Sequence, residues 1–262
     1  MANEIHPTAI VSDKAEIGDG NTVGPFAIVE AGAQLGDNNR IAAHAIVKKG
    51  VRMKNSNTIF EQAVIGGMPQ HKAYTDETVE TFLEIGSDNI IRESVTINCA
   101  WHAGESTKLG DGNFLMHAMH IGHDCIIGNE GTFGPGVGIG GHVEIHDNAV
   151  ISGGVMIHQF VHIGRNAMIG GNSKITQDVL PFMITDGNPA VVHGLNVVGL
   201  KRSGVNMSDL KVLKQAYRLL FQGGSMKDNV VAIQELDHEL TNHLCEFINN
   251  SERGFHRANK PS

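Results

Sequence analysis

Aliphatic side chains return at every sixth residue along most of the chain. Ile5, Val11, Ile17, Val23, Val29, Leu35, Ile41, Val47, Met53, Ile59 and Ile65 hold one register. A second register carries Ile85, Ile91 and Ile97, passes over Ala103, and resumes at Leu109, Leu115, Ile121, Ile127 and Phe133 to end at Ile175. This period matches neither the 3.6-residue turn of a helix nor the simple alternation of a flat strand. It predicts a parallel β-helix in which each hexad supplies one short strand and one corner. The anchor then points into a narrow triangular core, and a small residue beside it, often glycine as at Gly18, Gly24 and Gly122, lets the chain bend. Three hexads make a coil, and coils stack at about 4.8 Å, the ordinary strand spacing.

The breaks in the pattern mark the remaining organisation. From Ile65 to Ile85 is 20 residues, not a multiple of six, so residues 66–83 are predicted to form a loop thrown out of the prism. Loops of that kind tend to carry function, and this one contains Met68-Pro69-Gln70-His71-Lys72. Trp101, His102 and Gly104 interrupt the texture without shifting the register, which predicts a small bulge. The hexads stop near Pro181, and Gly187-Asn188-Pro189 reads as a turn. Met207, Leu210, Leu213, Tyr217 and Leu220 then have helical spacing, with Ser208 as N-cap and Gly223-Gly224 as stop. A second helix is predicted through Ile233, Leu236, Leu240, Leu244 and Phe247-Ile248. The expected organisation is a mainly β protein: a β-helix over residues 1–190, then a small α-helical domain over 191–262. The polar, basic tail Ser251–Ser262 is expected to be partly disordered.

Composition narrows the function. Aromatics at 5% and 32 glycines suit thin coils filled by Val, Ile and Leu. A net charge of −8 and a pI near 6.0 argue against nucleic-acid binding. Small basic groups at Lys48, Lys49, Arg52 and Lys54, and at Lys201 and Arg202, read as solvated surface or as contacts for an anionic partner. Cys99, Cys125 and Cys245 lack metal-type spacing and read as free thiols in a reducing compartment. The first anchor is already Ile5, no signal peptide is evident, and no apolar run approaches the ~20 residues that span a bilayer. A cytoplasmic protein is expected.

The 15 histidines are concentrated at His117, His120, His123, His142, His146, His158 and His162. The spacing His117-x-x-His120-x-x-His123 resembles a zinc motif. On a β-helix, however, His117 and His123 fall at equivalent places in successive hexads, on adjacent faces, and cannot share one ion within a chain. No metal site is therefore expected. His123-Asp124 is more informative, because a carboxylate beside an imidazole can hold its tautomer and stabilise the imidazolium of a general base. No serine or cysteine sits in a nucleophile elbow, and no phosphate loop occurs between a strand and a helix.

Taken in order, the hexads, the 66–83 loop, Ile91-Arg92-Glu93-Ser94-Val95-Thr96-Ile97, His120-Ile121-Gly122-His123-Asp124-Cys125, Gly140-Gly141-His142, Ile157-His158-Gln159-Phe160, Gly187-Asn188-Pro189 and Asn196-Val197-Val198-Gly199-Leu200-Lys201-Arg202 resemble the acyl-[acyl-carrier-protein]–UDP-N-acetylglucosamine O-acyltransferase family along essentially the whole chain. The resemblance implies a left-handed β-helix, a homotrimer with clefts between subunits, and the first step of lipid A biosynthesis. The acyl chain would arrive on the phosphopantetheine of acyl carrier protein, with no bound cofactor. His123 falls on the family's general base, Asp124 on its orienting carboxylate and Gly141 on its backbone oxyanion donor. Gln70, His71, Lys72, His120, His142, His158, Gln159, Asn196 and Arg202 fall on positions that line the substrate sites, and Gly171 on the position that limits acyl-chain length.

The chain also departs from the family pattern. Pro69-Gln70 is followed by His71-Lys72-Ala73-Tyr74 where the family usually reads Asp-Leu-Lys-Tyr. Asn98-Cys99-Ala100-Trp101 replaces His-Arg-Gly-Thr, Val198 stands at an acidic position, and Ser203 replaces a second arginine. Several of these lie on the sugar-nucleotide side. Two alternatives therefore stay open: an amino-sugar nucleotide as acceptor, and a non-catalytic paralogue that binds acyl carrier protein or nucleotide sugar.

Overall fold

The structure, a computed structural model, describes residues 2–74 and 79–258. Strands of mostly two residues climb through three sheets in strict rotation. Sheet I has 11 strands, from Glu4–Ile5 up to the hairpin Met183–Gly187 and Ala190–Leu195. Sheet II has 9, from Ile10–Val11 to Lys174–Ile175, and sheet III has 8, from Glu16–Ile17 to His162–Ile163. Pairing from coil to coil is parallel, as in Ile97 opposite Ile121 and Ile121 opposite Ile139. Among the described residues only the terminal hairpin is antiparallel. The result is a parallel β-helix.

The hexad anchors fill its core. Ile41, Ile59, Ile65, Ile91, Ile97, Leu115 and Ile121 are wholly buried, together with smaller corner residues such as Ala27, Ala45, Ala63 and Cys125. Ile5 is 46% exposed, because it lies in the first coil with no coil beneath it. Corners are tight enough that their third residue takes a left-handed conformation, at Asp124 (φ 60) and His142 (φ 59) among many.

One edge carries a device that the hexad count did not predict. Between sheets III and I the amide of Asn39 donates to the side-chain oxygen of Asn21, Asn57 to Asn39, Asn89 to Asn57 and Asn113 to Asn89, at 2.8–3.0 Å. These buried asparagines satisfy corner amides that the strand ladder leaves over.

The excursion from the prism runs between strands Val64–Gly67 and Phe82–Ile85, so each flank continues two residues further into 66–83 than the sequence pattern indicated. Beyond the hairpin come four helices: α1 (Val197–Arg202), α2 (Met207–Phe221), α3 (Met226–Gln234) and α4 (Glu239–Asn250). Two expectations are corrected here. The cap of α2 is Asn206, whose side chain accepts from Asp209 N, not Ser208, which instead donates to Asn206. The single predicted second helix is two, interrupted at Asp237 (φ 45). Of the tail, Phe255 and His256 are buried and Phe255 bridges to Asp178, while residues 259–262 lie outside the described residues. The helices share a second hydrophobic cluster with Leu180, Phe182 and Met183, which joins them to the last coils.

Candidate active site

Successive corners between sheets II and III stack the chemistry along one edge of the prism. The 68–81 excursion leaves from this edge, and residues 99–105 bulge from it one coil later. His123 and Asp124 occupy the next corner, Gly141 and His142 the one after, and His158, Gln159 and Phe160 the one beyond. Each side chain is thus placed by the same coil repeat that builds the core.

At the centre, His123 Nδ1 lies 2.5 Å from Asp124 Oδ2. Only 11% of the His123 side chain and 8% of the Asp124 side chain are exposed, so the histidine is enclosed and not simply directed outward. The Trp101 amide donates to both Asp124 carboxylate oxygens, at 3.1 and 3.3 Å, and the Asp124 amide donates to Thr107 Oγ1. The carboxylate is therefore held from two sides while its imidazole neighbour is oriented. His142 meets His123 edge-on at 5.1 Å and places Nε2 3.7 Å from the same Asp124 oxygen. Burial holds the His142 pKa below its ordinary value in spite of Asp124. Burial, with His123 nearby, also lowers that of His120, whose Nδ1 is 2.7 Å from Thr96 Oγ1. Ligand atoms of His123, Asp124 and His142 lie within 4.8 Å of one another, so among the described residues these three could take a cation. Their hydrogen bonds describe an oriented imidazole. The thiols of Cys99 and Cys125 are pushed up to about 12 by burial, which makes both poor nucleophiles.

Gly141 has no room for a side chain. A Cβ there would fall 2.8 Å from His123 Cε1 and Nε2, so its backbone lies against the imidazole nitrogen that Asp124 leaves free. The Gly140 and His142 amides are spent on Ile157 O and His123 O. The Gly141 amide donates to no group among the described residues. Gly141→Ala is expected to push the imidazole off Asp124 and lower kcat by at least about tenfold, with an unchanged circular dichroism spectrum. Wild-type kcat in that variant would contradict the close approach.

The other candidate residues fall in several places. Gln70, His71 and Lys72 are exposed on the excursion, and the His71 ring packs against Trp101 with centroids 3.9 Å apart and planes tilted by 35°. His158 and Gln159 are exposed further up the same edge. Arg253 from the tail, which sequence reasoning missed, donates to Gln159 O at 2.9 Å and Thr176 O at 3.2 Å and so pins that corner. Its only sequence signal was a basic residue in an apparently unstructured tail. Gly171 lies on a different edge, between the sheet I strand Met168–Ile169 and the sheet II strand Lys174–Ile175, and a Cβ would meet nothing closer than 3.4 Å. Asn196 is buried, capping α1 through Gly199 N and donating to Asn166 O. Arg202 is exposed in the last turn of α1. Ser203 bonds Asn166 and the Leu200 carbonyl. One chain thus gathers His71, Trp101, His120, His123, Asp124, Gly141 and His142, and leaves Gly171, Asn196 and Arg202 apart from them.

Comparison with known proteins agrees with this architecture. A family model described as Udp N-acetylglucosamine O-acyltransferase, Domain 2, matches residues 178–256, and the bacterial transferase hexapeptide (six repeats) model matches 3–49 and 142–177. Acyl-[acyl-carrier-protein]–UDP-N-acetylglucosamine O-acyltransferases of Paracidovorax citrulli and Alkalilimnicola ehrlichii are 48% and 46% identical to the chain. Each match covers 97% of it, and 100% and 99% of the relative respectively. The crystal structure of the Francisella novicida UDP-N-acetylglucosamine acyltransferase superimposes with a TM-score of 0.92 at 32% identity, over 97% of this chain and 94% of that one. With identity of this order along nearly its whole length, and a left-handed β-helix of hexapeptide repeats under a helical C-terminal domain, the chain belongs to the acyl-[acyl-carrier-protein]–UDP-N-acetylglucosamine O-acyltransferase family.

Proposed function

We propose that the chain transfers a 3-hydroxyacyl group from acyl carrier protein to the 3-hydroxyl of UDP-N-acetylglucosamine, the first step of lipid A biosynthesis. The observation that carries this reading is His123, bonded through Nδ1 to Asp124 and lying against the Gly141 backbone. With the Nδ1 proton donated to Asp124, Nε2 is an acceptor; this tautomer is assigned from the hydrogen bond. Nε2 takes the proton of the sugar hydroxyl as its oxygen attacks the thioester carbonyl. The Gly141 amide donates to the oxyanion that develops, and Asp124 stabilises the imidazolium. Collapse breaks the C–S bond, and His123 returns its proton to the departing pantetheine sulfur. The acyl chain arrives covalently bound to its carrier, so the enzyme requires no cofactor of its own. Free, buried cysteines accord with a reducing cytoplasm as the place of reaction.

We further propose a homotrimer. Gly171 and His123 lie on two edges of the prism separated by sheet II, and the outer row of that sheet is apolar along much of its height. Ile10 and Met156 on it are 65% and 54% exposed, with Ile28, Ile46 and Val64 between or beside them. A ring of three copies would cover this row and bring the Gly171 edge of one copy against the His123 edge of the next. His158, Gln159, Asn196 and Arg202 would then complete the nucleotide and pantetheine sites, Asn196 by setting the start of α1 and Arg202 by offering a guanidinium to a diphosphate.

Two measurements test this reading. A panel of acyl carrier thioesters and nucleotide sugars, with products read by mass spectrometry, is expected to give an O-acyl UDP-N-acetylglucosamine. An N-acyl product from an amino-sugar nucleotide alone would move the acceptor, and no transfer to any sugar would remove the enzyme reading. The second measurement concerns chain length. The space around Gly171 admits a side chain, and each buried methylene is worth roughly 0.8 kcal/mol. Gly171→Met is therefore expected to shift the kcat/KM optimum toward chains shorter by several carbons, and an unchanged length profile would put the acyl groove elsewhere.

A further inference from the structure

Trp101 reaches both the excursion and the His123–Asp124 pair. Its indole packs against the His71 ring at 3.9 Å, the two planes tilted by 35°, across the gap between the excursion and the prism, and lies parallel to His102 at 5.5 Å. It meets the His123 ring edge-on at 5.6 Å and 89°. His71 also faces His123 edge-on, at 6.1 Å. The Trp101 amide, as described, donates to both oxygens of Asp124. One residue therefore binds the carboxylate through its backbone, walls the imidazole with its ring and grips the loop with the same ring.

We propose that Trp101 is a positioning residue for the His123–Asp124 pair and the seat on which His71 holds the 68–74 loop over that pair. Three physical effects follow. A rigid indole at the edge of His123 limits rotation of the imidazole and keeps Nε2 aimed at the acceptor. Its apolar surface excludes water from one side of the His123–Asp124 hydrogen bond, which strengthens it. The His71–Trp101 contact also orders a loop that carries Gln70 and Lys72 and otherwise extends from the prism, so acceptor binding does not have to supply that ordering.

The kinetic test rests on the acyl transfer proposed above, and a spectroscopic test does not. Trp101→Ala is expected to lower kcat about tenfold and to raise KM for the nucleotide sugar by a similar factor, with KM for the acyl donor unchanged. Trp101→Phe keeps an aromatic seat and should recover most of both. His71→Ala should raise the sugar KM, and the double variant His71→Ala/Trp101→Ala should be no worse than Trp101→Ala alone, because the two side chains act as a unit. Since the protein has a single tryptophan, the change in its emission on His71→Ala reports the His71–Trp101 contact. Removing the imidazole from the indole face in His71→Ala should raise that emission without any substrate present. Wild-type kcat and KM values in Trp101→Ala would overturn the positioning role. Unchanged emission in His71→Ala would overturn the His71–Trp101 contact. If the wild type transfers no acyl group to any sugar, the proposed reaction fails and the emission result alone decides whether Trp101 seats the loop.

Discussion

His123→Ala is expected to lower kcat by about a hundredfold or more, the usual scale for loss of a general base, while the protein stays folded. The imidazole belongs to neither hydrophobic cluster. Once it is removed, Asp124 still accepts from the Trp101 amide, so no charge is left without a partner. KM values should change far less than kcat, because the proton transfer is made only in the transition state. Activity within a few-fold of wild type would show that another group takes the proton. The nearest alternative is His142, whose Nε2 faces the same carboxylate.

The largest effect on stability is expected from Ile121→Asp, two residues before that base. Ile121 is wholly buried, between Ile97 below and Ile139 above. A carboxylate there would have no hydrogen-bond partner in a core of aliphatic side chains, at a cost of several kcal/mol. Whole domains are stable by only about 5–15 kcal/mol. Loss of soluble, folded protein is the expected outcome, read by thermal melting and size exclusion. A normal melting temperature would contradict the inward assignment of the hexad anchors.

The core was legible because one rule, an apolar anchor every six positions, holds from Val23 to Ile65 and again from Ile85 to Ile175 with only Ala103 passed over. The excursion was legible because Ile65 and Ile85 are out of phase. What the period leaves out is contact between segments that coiling brings together. Trp101 reads only as an interruption, yet it joins His71, Asp124 and His123. The asparagine ladder was hidden for a related reason: Asn21, Asn39 and Asn57 keep the 18-residue coil interval, but Asn57 and Asn89 are 32 residues apart across the excursion and Asn89 and Asn113 are 24 apart across the Trp101 bulge, so the interval breaks midway. In the helical region an apolar stripe continued through Leu236, and only the backbone reversal at Asp237 divides it. Phe255 and His256 find the last coils, which no local pattern announces.

The most direct test of the account is whether two copies share one site. His123→Ala disables the base on the edge between sheets II and III, and Arg202→Ala removes the guanidinium expected from the neighbouring copy. Each variant alone should be strongly impaired. Co-expressed with distinct tags and purified as mixed trimers, the two chains would meet in some clefts as an intact His123 edge against an intact Arg202 edge. Random mixing in a ring should restore about a quarter of wild-type kcat per site. A mixture no more active than the two variants alone would contradict the shared cleft and require the whole site to lie within one chain.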